Sequence, residues 1–260
     1  MVRKRLLALS LMILLTACAT SPTGRSQLML MPEGQLTQMG FEAFEQIKSK
    51  EQIETDPEIN AYVQCVVREL TRDLSGQWEV VVFKSDQANA FALPGGKIGV
   101  YSGLLKVAKN QHQLASVVGH EIGHVQARHS NERVSQEFAV SQSLALIQAI
   151  AAPQSATGQL VMGALGVGAQ YGVLMPFSRI QESEADTIGL ELMARAGFDP
   201  REAVQLWYNM EAAGGARPPE WLSTHPSHDT RIQDLQARMD KALALYQTAR
   251  SQGRAPNCTY

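Results

Sequence analysis

Apolar residues recur at helical spacing along most of the chain. From Gln35 to Lys50 they fall at Leu36, Met39, Phe41, Phe44 and Ile47, one face of an amphipathic helix. A second helix has an explicit start, with Asp56 as N-cap and Pro57 at the first helical position. Its apolar face runs through Ile59, Val63, Val66, Val67 and Leu70. The period then shortens. Trp78 to Phe83 is β-branched and aromatic and predicts a strand. Phe91 to Leu93, Pro94-Gly95-Gly96 and Lys97 to Tyr101 predict strand, turn, strand. Ser102 is placed to cap the next helix. Gln111 to Ser130 is a strong helix, and a further helical run reaches about Ala151. Arg179 to Ala196 is helical and closes at Gly197. Another helix follows Asp199-Pro200, and the last runs from about Asp229 to Arg250. The outline is α+β, mostly helical, with one small sheet and no internal repeat.

Two segments lack this pattern. Ala156 to Pro176 carries no charge and holds five glycines between Gly158 and Gly172. With Gln159 and Gln170 it reads as a closely packed or flexible helix, a candidate lid, rather than a membrane span. At the other end, Arg3, Lys4 and Arg5 precede an apolar run from Leu6 to Leu15, too short to span a bilayer. This predicts a signal peptide over residues 1–17. Leu15-Thr16-Ala17-Cys18 looks like a bacterial lipobox, which implies lipidation at Cys18 and a tether over 18–34. Ala19 is not the aspartate of inner-membrane retention, so the implied address is the periplasmic side of the outer membrane, reached through the N-terminal lipid. A single domain over 35–251 and a tail over 252–260 complete the chain.

Composition narrows this little further. With 260 residues, 45% of them hydrophobic, the chain can bury one sizeable core. A formal net charge of −2 argues against a nucleic-acid partner. Apart from Cys18, only Cys65 and Cys258 carry thiols. In an oxidising compartment they could form a disulfide, but sequence leaves pairing and two separate thiols equally open.

The chemistry sits on the helix from Gln111. His120 and His124 are four apart, so they lie about 40° from each other on one helix face and can bind one metal ion. Glu121 stands beside them as the base for a water molecule, the His-Glu-x-x-His arrangement of zinc peptidases. Gly119 and Gly123 keep this helix slim, which implies that something packs closely against it. A catalytic zinc needs a third protein ligand and an open position. Glu182 and Asp186, i and i+4 on a later helix, supply candidates: one carboxylate for the metal, the other to orient a ligand imidazole. Glu184 would point elsewhere. His112, His129 and His228 read as surface or helix-end residues.

Four separated blocks now stand in order: Asn89 to Gly96, His120 to His124, Ser178-Arg179 with Glu182 to Asp186, and Thr224-His225-Pro226 with Arg231. Together, from roughly Glu58 to Leu235, they resemble the HtpX/BepA-type zinc metallopeptidases (peptidase family forty-eight, gluzincins), which include CAAX-prenyl proteases and mitochondrial quality-control relatives. The resemblance implies a zincin-like domain with an active-site helix and one Zn2+ per chain. It makes Glu182 the third ligand, Asp186 the partner of a ligand histidine, and Glu121 the catalytic base. It gives His225 a place near the zinc, either filling the water position at rest or stabilising the transition state. Arg231 and Asn89 would support the loop or the substrate. The chain departs from the integral-membrane relatives in lacking long transmembrane helices, which disfavours prenyl-protein processing. The implied activity is an endopeptidase acting on unfolded or misassembled envelope proteins. The alternative is a chaperone or assembly factor for outer-membrane proteins, working with the assembly machinery and cleaving only secondarily.

Overall fold

The residues expected to form a loose tether fold back on themselves. In the computed structural model, which describes residues 18–151, 177–214, 221–225 and 230–260, Cys18–Thr20 (β1) pairs antiparallel with Ser26–Leu28 (β2). Gly24 turns the chain at φ 92°, which glycine adopts without steric cost. Ser21 and Gln27 are buried, and Gln27 donates its side-chain amide to the Ala127 carbonyl. This docking is polar, so it left no hydrophobic period to read. The leader at 1–17 and the Gly-rich stretch at 156–176 lie outside the described residues.

Two helices follow, Glu33–Lys50 (α1) and Pro57–Thr71 (α2). The Asp56 carboxylate accepts from the N–H groups of Glu58 and Ile59, satisfying two of the orphan donors at the start of α2. Three strands come next: Glu79–Phe83 (β3), Ala90–Leu93 (β4) and Lys97–Tyr101 (β5). The order is β3-β5-β4, with β5 parallel to β3 and antiparallel to β4. Gly95 and Gly96, at φ 86° and 75°, make the turn between β4 and β5. One side of the sheet meets α1 through Phe44, Phe83 and Tyr101. The main core joins α2, the sheet and the later helices through Val63, Val66, Val82, Ile98 and Val100.

The helix that carries the metal motif, Gln111–Gln126 (α3), is capped by Asn110, whose side chain accepts from the N–H groups of His112 and Gln113. Ser102 does not cap it. A short 3-10 turn, Ser102–Lys106, intervenes, and the Ser102 hydroxyl instead bonds the backbone of Ser85. The helix expected to reach Ser130 breaks at Arg128, which adopts φ 54°, and His129–Ala151 (α4) begins in a new direction. Arg179–Arg195 (α5) opens on a capping box between Ser178 and Gln181, and Gly197 follows it at φ 88°. Arg201–Gly214 (α6) and the single turn Trp221–Thr224 (α7) follow. The expected final helix is two, Arg231–Ala237 (α8) and Met239–Ser251 (α9), separated at Arg238.

The architecture is thus α+β and mostly helical. Cys65 and Cys258 are joined, with Cα atoms 5.7 Å apart, which holds the tail against α2. Among the described residues no helix is long and apolar enough to cross a membrane.

Candidate metal centre

Two helices cross where α3 has no side chains. A Cβ on Gly123 would lie 2.8 Å from the Ala185 carbonyl oxygen, and one on Gly119 3.1 Å from that of Gly189. The slimness read from the sequence is therefore the contact between α3 and α5. It brings the His120 and His124 face of one helix against the acidic turn of the other.

Four donors converge there. His120 Nε2 lies 3.0 Å from His124 Nε2 and 3.2 Å from His225 Nδ1. Glu182 Oε1 lies 3.3 Å from His124 Nε2 and 3.1 Å from His225 Nδ1. One ligand atom from each of these four residues falls within 4.8 Å of all the others. Each residue is at most 3% exposed.

This donor set fits a zinc ion. His120 Nδ1 meets the Asp186 carboxylate at 2.8 Å and so carries a proton, which leaves Nε2 as the atom to offer a metal ion. Burial disfavours the charged form of His120, yet the carboxylates of Glu182 and Asp186 outweigh it and lift its pKa to about 9, so this position favours a positive charge, which a metal ion would supply in place of the Nε2 proton. Burial pushes His124 well below the usual histidine range, so its Nε2 is a lone pair. Two imidazole nitrogens 3.0 Å apart beside a carboxylate can share one cation between them. Imidazole nitrogen and carboxylate oxygen are the donors that zinc takes. Burial works against the Glu182 anion, but His120 and its neighbours hold its carboxyl far below the ordinary range.

The surroundings fix each donor. Arg231 is buried and donates to Glu182 Oε2 at 2.9 Å and to Asp186 Oδ1 at 2.7 Å. Its guanidinium lies 4.0 Å from the centre of the Trp207 ring. Burial raises the Asp186 carboxyl, but Arg231 and His120 outweigh it and keep the group ionised. Glu121 turns aside from the donors, as its position next to His120 dictates. Its Oε1 accepts from the Trp221 indole at 2.7 Å and lies 3.3 Å from His225 Nε2. The Phe177 ring packs 3.9 Å from that of His124.

The sequence model of Peptidase family M48 matches residues 53–239. The chain belongs to this family. Among M48 relatives, the mitochondrial metalloendopeptidase OMA1 of Schizosaccharomyces pombe is 40% identical over 175 residues, covering 66% of this chain and 50% of the relative. Human mitochondrial metalloendopeptidase OMA1 is 34% identical, with 86% of this chain and 46% of the relative covered. The beta-barrel assembly-enhancing protease of Escherichia coli is 31% identical, with 80% and 44% covered. The chain therefore spans about half the length of the curated relatives it matches.

These M48 relatives correct one expectation. The outer-membrane, periplasm-facing address drawn from the first 19 residues is overturned by relatives named as mitochondrial in fission yeast, human and Arabidopsis thaliana. The expectation rests on a short pattern, Leu15 to Cys18 followed by Ala19, and an address is read by receptors rather than set by so few residues.

Other expectations shift in detail. Cys18 stands at the start of β1. Asn89 lies just before β4, where its side-chain oxygen accepts from the Ala90 N–H, a role in the loop. His112 stays at a helix start, its Nδ1 accepting from the Asp199 N–H. His228 lies outside the described residues. His129 stands at a helix end, the first residue of α4, but it is fully buried rather than on the surface, with Nδ1 2.9 Å from His124 Nδ1. Glu184 points away from the donors as expected, but it is buried and meets His129. Trp221 was missed altogether, since a lone Trp beside a proline-rich loop gives no signal for a bond to Glu121.

Proposed function

We propose that this chain is a zinc-dependent endopeptidase that cleaves extended segments of unfolded or misassembled proteins. The observation that carries this reading is the buried set His120, His124, Glu182 and His225 with an ionisable carboxylate, Glu121, alongside. A purely structural zinc site has no use for such a neighbour.

Held by His120, His124 and Glu182, zinc would acidify a water molecule and polarise a peptide carbonyl. Glu121 is the group placed to take the proton from that water and return it to the leaving amide nitrogen. Asp186 holds His120 in the tautomer that offers Nε2, and Arg231 donates to both acids and fixes them in place. His225 stands where a fourth donor or a water would stand, so the arrangement is a closed one.

The order β3-β5-β4 leaves β4 at the sheet edge, with α3 packed beside it. An extended peptide added to that edge would pair through its backbone, with little regard to its sequence. Folded domains offer few such segments, which supports unfolded chains as the substrate class.

The test is degradation of casein, an unfolded protein, against a tightly folded globular control. Cleavage of casein alone, abolished by a zinc chelator and restored by added zinc, is the expected result. Undiminished cleavage by the zinc-stripped protein would overturn the reading.

A further inference from the structure

The Asp186 carboxylate orients one ligand imidazole, and the geometry points to a longer device for the other. We propose that His129, Glu184 and Arg25 form a positioning relay that holds His124 in its ligand orientation and ties the N-terminal hairpin to the metal centre. The proposal rests on the metal-centre reading above.

His124 presents Nε2 to the other donors, so its Nδ1 must carry the proton. The atom facing that Nδ1, at 2.9 Å, is His129 Nδ1. It can only accept, so the proton of the His129 ring sits on Nε2. That N–H points at Glu184 Oε2, 3.1 Å away. Each bond thus fixes the direction of the next, and the chain ends on a carboxylate. Glu184 is to His124, through His129, what Asp186 is to His120 directly.

The fold is bent to allow this. On an unbroken helix a residue five positions beyond His124 points about 140° away from it. Arg128, at φ 54°, interrupts the helix and swings His129 back over His124. That left-handed conformation is rare for residues other than Gly, Asn and Asp. Its presence here accounts for a contact that a continuous helix forbids.

The far end is held from the hairpin. Arg25 Nε donates to Glu184 Oε2 at 2.9 Å, and Thr23 Oγ1 donates to Glu184 Oε1 at 2.5 Å. The rest of the guanidinium grips both oxygens of Glu132, at 2.5 and 2.7 Å. Glu132 is fixed in turn by Gln181 at 2.9 Å. An arginine therefore stands behind each relay acid: Arg231 behind Asp186 and Arg25 behind Glu184. The second comes from residues far from the motif in sequence.

The experiment measures zinc affinity of the full chain by competition with a chromophoric chelator, and the visible spectrum of the cobalt-substituted protein. Glu184→Ala and His129→Ala should each weaken zinc binding by about tenfold or more. Both should also shift the cobalt bands, because the His124 ring is released. Glu184→Gln keeps an acceptor oxygen and should recover much of the affinity. Arg25→Gln alters a part-exposed residue outside the core, so it reports on the relay even if His129→Ala does not fold, and it should weaken zinc binding measurably. Wild-type affinity and an unchanged cobalt spectrum in both Glu184→Ala and Arg25→Gln would remove the relay. A wild-type chain that takes up no zinc would instead remove the metal centre itself.

Discussion

The indole N–H of Trp221 donates to Glu121 Oε1 at 2.7 Å, with both side chains buried. A bond from a neutral donor to a carboxylate is a strong one and fixes the orientation of the acceptor. Trp221 comes from a one-turn helix that follows α6, and its own N–H is bonded to the Ala88 carbonyl ahead of β4. Glu121, the proposed base, is thus held by a residue that is also bonded just ahead of the strand proposed to receive substrate.

Trp221→Phe keeps an apolar ring and deletes that donor. The expected outcome is a fall in kcat of about tenfold, since small misplacement of a reacting group is costly. KM and zinc content should change little. Steady-state kinetics with metal analysis check this, and an unchanged kcat would show that the bond does not position the base.

His225→Ala tests whether the centre rests closed. His225 Nδ1 lies 3.1 Å from Glu182 Oε1, filling the position that a catalytic zinc keeps open. The variant should retain one zinc per chain through His120, His124 and Glu182, and its peptide hydrolysis should rise. A loss of hydrolysis with zinc retained would assign His225 to the transition state instead.

Arg231→Met tests the buried clamp. It removes the cation shared by Glu182 and Asp186 and leaves the buried Asp186 carboxylate with His120 alone to offset its charge. Breaking a buried ion pair in this way costs about 3–5 kcal/mol. Urea unfolding should show that loss, and Arg231→Lys should recover only part of it, because one ammonium cannot reproduce the planar fork. Stability equal to wild type would show that the two acids do not depend on Arg231.

Gly123→Ala tests the close crossing of α3 and α5. Alanine favours a helix by roughly 1 kcal/mol over glycine. Here its Cβ would meet the Ala185 carbonyl at 2.8 Å, and backbone has little room to yield. Overpacking of this kind costs about 1–3 kcal/mol. The expected result is a lower melting temperature, and a higher one would mean that the helices are free to separate.

What the sequence revealed follows from spacing along single helices. His120 and His124 share a face, as do Glu182 and Asp186, and the two glycines announced the crossing that joins them. The hairpin between β4 and β5 was legible from Pro94-Gly95-Gly96. The remainder depended on breaks and on polar contacts. Arg128 ends α3 without a Gly or Pro to signal it, and that break alone makes His129 a neighbour of His124. Arg238 divides the last helix in the same unmarked way. Residues 18–28 looked like a tether because Arg25 and Gln27 dock on buried acids and carbonyls rather than on an apolar face. Trp221 reaches Glu121 only because the chain returns across 100 residues.

The central claim is that Glu121 does the proton transfer at a zinc held by other residues. The most direct measurement is zinc content and casein cleavage in Glu121→Gln. The amide can still accept from Trp221, so the fold and the metal should be kept. One zinc per chain with cleavage abolished is the predicted result. Cleavage at the wild-type rate in the zinc-loaded variant would contradict the account.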